Sequence, residues 1–369
     1  LEMVDLLIEF GADINAKSAW PAGGFGILEG VDPDVAPLLI DRGVVVDIWA
    51  AAHLNDLARA ASLLDETPDL VRARGGDGKH PIHYAASPEM VDLLVERGAD
   101  VNARDIDHGS TPVQYLVNNE HVVRRLLDHG AEPDIYLAAA LGDVEMARHC
   151  IERDPSCLEA RLGSPGWTSG VGGDIYKWTL GHDLTPQDVA RDKGHTAALG
   201  LLLRRASPAR QLAHATWFGD RKAASGMVAK DPGVVRRLMD VEPALMSQAA
   251  WWHRTEAVKI LLEIGFDPHL MGVHESTPLD RAAFHGYAEM VVLILEADPD
   301  PPVSFRNEFG GTPLRTCIYG SMHGWDTGHP RDHVASARAL IEAGCSFSSD
   351  WLPTGNPAMD RLLNEYLAS

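Results

Sequence analysis

The chain has 369 residues, 45% of them hydrophobic and 23% charged, with a formal net charge of −21. That apolar share supports a continuous core and excludes a disordered chain, while the acidity repels phosphate backbones and argues against a nucleic-acid partner. No apolar run approaches the roughly 18–20 residues of a membrane-spanning helix, so no membrane partner is expected.

In chain order, the first phrase is VDLLIEFGADINA at 4–16, which returns as VDLLVERGADVNA at 91–103. Looser copies are VRRLLDHGAEPD, VKILLEIGFDPH and ARALIEAGCSF. A second phrase precedes this one: GKHPIHYAAS, GSTPVQYLVN, DLTPQDVARDKGH, ESTPLDRAAFHGY and GGTPLRTCIYGS. Its prolines fall at Pro81, Pro112, Pro186, Pro278 and Pro313, separated by about one, two, three and one periods of some 33 residues. The wider gaps hold helix pairs without the Thr-Pro start, as in DIYLAAALGDVEMARHCIERDP and PALMSQAAWWHRTEAVKILLEIG. The chain opens at Leu1 inside half a repeat and without an initiator Met, which reads as truncation or processing and leaves a signal peptide open.

Each signature residue has a physical task. Thr at the N-cap accepts a free backbone N–H. Pro follows at the first helical position, where its missing N–H costs nothing. Paired alanines let two helices approach, paired leucines fill the core at helical spacing, and Gly before Ala-Asp ends the second helix in a left-handed cap. Together the phrases resemble the ankyrin repeat. The resemblance implies an all-α solenoid of about ten helix-turn-helix units with hairpin fingers, stacked because no unit can bury its apolar face alone. It also implies a binding role on the fingers and concave face, with no family-wide catalytic residues. The chain is similar, too, to a class of stand-alone bacterial ankyrin proteins with an HGWxxxxG-like insert.

The reading is of one solenoid over 1–369: N-terminal repeats at 1–160, a long finger insertion at 161–185, and C-terminal repeats at 186–369 with a second insertion at 320–333. The first insertion carries Trp167, Tyr176 and Trp178 beside Asp174 and His182. Its GVGG lacks the Lys-Ser/Thr of a phosphate loop, and DIYKWTL alternates as one strand of an extended hairpin would. The second insertion, SMHGWDTGHPRDH, replaces a short turn after Tyr319 and Gly320. Three readings of it stay open: a metal trio of His323, His329 and His333, a ligand-binding loop, or a rigid loop whose Trp325 packs on a neighbour.

Two columns complete the candidate site. At the end of the first helix of successive repeats stand Trp217-Phe218, Trp251-Trp252-His253, Phe284-His285 and Tyr319. Four residues earlier stand His83, Gln114, Asp188, Asp280 and Arg315, of which Asp280 and Arg315 would pair across the groove. The ligand-binding set is therefore Tyr176, Trp178, Trp217, Trp252, Phe284, Tyr319, Trp325 and Arg315. The leading function is a binding protein that recognises a protein or other ligand on its concave groove. The alternative is a hydrolase or lyase on a carbohydrate-like small molecule, with both insertions folded over the column and His253, His285, His323, Asp174 and Asp280 as acid–base candidates. No cofactor and no metal are assigned, and a monomer is expected. Four cysteines without a CxxC pair suit a cytoplasmic protein with reduced thiols.

Overall fold

Local chemistry builds this chain from short helices, many of them started by a side-chain cap. In the computed structural model, residues 2–163 and 173–368 are described, and among them there is no β-strand. By its contacts the chain divides into two compact units, 1–206 and 207–369.

The first unit stacks helix pairs such as Ile48–His53 with Leu57–Glu66, Ile135–Leu141 with Val144–Arg153, and Pro186–Asp192 with Thr196–Arg205. In the second, Leu245–Trp251 pairs with Thr255–Glu263, Pro278–His285 with Ala288–Ala297, and Pro313–His323 with His333–Glu342, followed by Pro357–Leu367. The starts work as the sequence requires. Thr277 Oγ1 accepts the Asp280 amide while Asp280 returns the bond to the Thr277 amide, and Thr185 with Asp188 does the same. Such reciprocal caps are worth about 1 kcal/mol each. The alanine pairs Ala249-Ala250 and Ala282-Ala283 are fully buried, and Val258, Leu261, Val291 and Ile294 fill the layer between helices. Repeated helix pairs packed this way form the all-α ankyrin arrangement that the repeat phrases imply.

Two backbone positions fix how the second unit closes. Gly320 lies where helix Pro313–His323 crosses Pro278–His285; a Cβ there would come 1.9 Å from the Phe284 carbonyl oxygen. The turns after helices Pro278–His285 and Leu245–Trp251 each hold a left-handed residue, Gly286 at φ 69° in the first but His253 at φ 54° in the second, a strained choice for a residue with a Cβ.

Two expectations are corrected. The inner helix does not stop at Tyr319-Gly320; it runs to His323, so the irregular part of the second insertion is 324–332. DIYKWTL is not a strand: Tyr176–Thr179 is one helical turn, because Tyr176 turns inward to pack on Tyr136 and the described residues offer no strand for it to pair with. Trp167 lies outside the described residues. None of the described helices is long and apolar enough to cross a membrane.

Candidate functional site

The alanine pairs set the register of the column. In Ala-Ala-Trp251 and Ala-Ala-Phe284 the residue after the second alanine points to the same side, so Trp251 stacks on Phe284 at 5.5 Å and 22° between ring planes. Phe284 meets Tyr319 of the next repeat at 6.4 Å. Trp252, one residue and about 100° further round the helix, is 60% exposed instead. The inward tryptophan is thus Trp251, not the expected Trp252. The Ala-Ala register carried that signal in the sequence. Trp217, in the corresponding slot one repeat earlier, is half-buried beneath the Arg254 guanidinium at 5.2 Å.

Between the inner helices and the fingers of the second unit lies a groove of about 510 Å³. Its walls are Trp251, Phe284, Tyr319 and Phe309; its polar members include His274, Asp280, Arg281, Asn307 and Arg315. Arg281 lies over the Trp251 ring at 4.6 Å and donates to the Val273 carbonyl. Arg315 stacks over Trp351 at 5.5 Å. The expected Asp280–Arg315 ion pair is therefore not formed: the arginine side chain leans towards the next element instead.

Asp280 is 1% exposed. Its Oδ2 accepts the Thr277 amide and hydroxyl, whereas Oδ1 has no hydrogen-bond partner. Burial pushes its pKa up to about 6 against the lowering effect of Thr277. His285 is also 1% exposed, with neither ring nitrogen bonded. Burial, with Arg331 and Arg281 nearby, pushes its pKa down to about 4, so it is neutral at pH 7.

The second insertion is clamped to the C-terminus of helix Pro278–His285, whose last carbonyls lack helical partners. Arg331 donates to the carbonyls of His285 at 3.0 Å, Trp325 at 2.6 Å and Gly320 at 3.3 Å. His333 Nε2 donates to Phe284 O at 3.1 Å, and the Asp332 amide to Gly286 O at 2.7 Å. Trp325 then rests within 6 Å of Trp251, Phe284 and His285, while staying 55% exposed. The three histidines of this stretch diverge: His323 lies against Tyr319, His329 against His253, and His333 reaches the Phe284 carbonyl. His253 itself is also packed on Tyr287, and burial, with His329 beside it, lowers its pKa.

The first insertion is seated on the first unit. Asp174 accepts from His108 Nδ1 at 2.9 Å and from Lys177; burial would raise its pKa, but these two partners outweigh it and hold it below the ordinary value. The Ile175 amide donates to Ser110 Oγ at 3.1 Å. Tyr176 is 1% exposed and donates to Asp134 at 3.2 Å. It is a core residue of the first unit, which corrects its place among surface binding residues: its hydroxyl found a partner inside. Trp178 remains 66% exposed, edge-on to His182. Column spacing missed Arg281, Phe309 and Arg331, because the first two act from helix and finger positions that no repeat phrase marks and the third through backbone carbonyls.

Residues 48–136 match the ankyrin-repeat family model in three copies. The chain is 32% identical over 121 residues to ankyrin repeat and SAM domain-containing protein 6 of Rattus norvegicus, covering 31% of this chain and 13% of that protein. It is 47% identical over 61 residues to the serine/threonine-protein kinase VIK of Arabidopsis thaliana, covering 16% of this chain and 14% of that one. Against Rabankyrin-5 of Homo sapiens it is 41% identical over 66 residues, covering 16% of this chain and 5% of that protein. The matched segments are a small part of each relative.

Proposed function

We propose that this chain, an ankyrin-repeat protein, binds a protein partner through the aromatic rim of its second unit. Ankyrin repeats support a protein-interaction role in general; the choice of face rests on one observation. Phe309 and Tyr319, 75% and 58% exposed, line one groove, and Trp325, 55% exposed, rests on its Trp251 and Phe284 walls. Large apolar side chains grouped on a surface and rimmed by polar residues mark interaction sites, since leaving them in water forgoes about 25 cal/mol for each Å². Aromatic anchors beside arginines are also the residues that dominate interface energetics. The four free, buried cysteines suit a partner met in a reducing compartment.

The test is positional. A photo-crosslinking amino acid is placed at Phe309 or Tyr319, and as a control at Val292 on helix Ala288–Ala297. The same discrete adduct is expected from the first two sites and not from the third. No adduct at 309 and 319, or equal yield from 292, would overturn the reading.

A further inference from the structure

The third residue of the inner helix plays one part in several repeats and fails to play it at Asp280. In the first unit His83 Nε2 donates to the Ser110 carbonyl at 3.3 Å. In the second, Ser247 Oγ donates to the Ser276 carbonyl at 2.9 Å. Each acceptor is the residue just before the next Thr N-cap, Thr111 or Thr277. Gln114 likewise donates onward, to Asp134 at 3.0 Å. Asp280 stands in the same register, and the matching carbonyl is that of Gly311, just before Thr312; both residues border the groove. A carboxylate cannot donate to a carbonyl. The side-chain donor found at this position elsewhere is absent here: the Gly311 carbonyl keeps only the Asn307 amide, and Asp280 Oδ1 is unpartnered. A buried acceptor left unpaired costs about 1–3 kcal/mol, a cost that a guest bringing a donor would relieve.

Two further features define the guest. Arg281 and Arg315 border the same groove, and among the described residues neither forms an ion pair, although Arg125, Arg221 and Arg237 of this acidic chain all do. Flat walls are supplied by Trp251, Phe284 and Tyr319. The groove volume of about 510 Å³ falls in the range of roughly 300–1,000 Å³ typical of small-molecule sites.

We propose that this groove binds a small zwitterion with a flat ring, of the aromatic α-amino acid class. Its ammonium meets Asp280 Oδ1, its carboxylate meets Arg281 and Arg315, and its ring lies on the aromatic wall. Oδ1 is buried, so binding includes a rotamer change in one lining side chain. The site goes beyond the partner reading and stands whether or not a partner is captured at the rim.

The experiment is calorimetric titration of the full chain with L-phenylalanine, with 3-phenylpropionate, which lacks the ammonium, and with phenethylamine, which lacks the carboxylate. Two variants divide the contacts. Asp280→His reproduces the His83 arrangement and supplies the missing donor; Arg315→Gln removes an exposed cation. L-Phenylalanine is expected to bind at one site and to weaken by roughly tenfold or more in each variant. Phenylpropionate should weaken only in Arg315→Gln, and phenethylamine only in Asp280→His. Circular dichroism checks both folds, and Asp280→Asn, which keeps an oxygen for Thr277, replaces Asp280→His if that variant is misfolded. No binding of L-phenylalanine at millimolar concentration, or losses that do not follow the charged group removed, would overturn the proposal.

Discussion

Replacing Asp280 by Asn should change the pH dependence of stability in a defined direction. Its carboxyl pKa is raised from the ordinary 3.8 to about 6, chiefly by burial. In the unfolded chain it ionises at its ordinary value without penalty, while the folded chain holds the proton until about pH 6. Stability tied to this group is therefore fully present below pH 3.8, falls as pH rises towards 6, and levels off above. At about 1.36 kcal/mol per pH unit, that span is worth about 3 kcal/mol. Asn carries no charge at any of these pH values, keeps an oxygen for Thr277, and offers an N–H where Oδ1 has none. Urea unfolding followed by tryptophan fluorescence, repeated from pH 4 to 7.5, gives the assay. The unfolding free energy of the variant minus that of the parent should grow by about 2 kcal/mol between pH 4 and 7, since part of the span lies below pH 4. His285 contributes the opposite slope, but it is present in both proteins and cancels in the difference. A difference that stays flat across this range, or shrinks, would refute the reasoning that burial raises the Asp280 pKa.

His285→Phe should isolate that opposite slope. With the His285 pKa pushed down from 6.5 to about 4, the parent loses about 3 kcal/mol as pH falls through this window, and the variant should acid-unfold at lower pH in a circular-dichroism titration. Trp251→Ala, which empties a slot against Phe284, His285 and Trp325, should cost about 2–4 kcal/mol. Trp252→Ala, at an exposed position, should stay within about 0.5 kcal/mol. Paired thermal melts check the contrast, and equal losses would place the two tryptophans wrongly.

How far the candidate site was legible differs residue by residue. Phe284, Tyr319 and Trp325 come together at the groove rim as column spacing and the second insertion suggested. Tyr176 and Trp252 do not belong there, for two separate reasons. Tyr176 sits in a stretch whose alternation imitates a strand, and only its contacts with Tyr136 and Asp134 reveal a buried turn. Trp252 adjoins Trp251 in the chain, and two neighbouring tryptophans are equivalent in composition while a helix sends them about 100° apart. The histidines of the second insertion look like a ligand set in the sequence, yet each answers to a different neighbour.

By itself the sequence determined what depends on residues three or four apart: Thr-Pro starts with their reciprocal caps, alanine and leucine periodicity, glycine turns, and hence stacked helix pairs. Tertiary structure alone decided which tryptophan faces the groove, that Arg331 fastens the insertion to the carbonyls at the end of helix Pro278–His285, and that Asp280 keeps an unpartnered oxygen. Each of those outcomes joins groups brought together across the chain, by helix packing whose geometry no local pattern encodes.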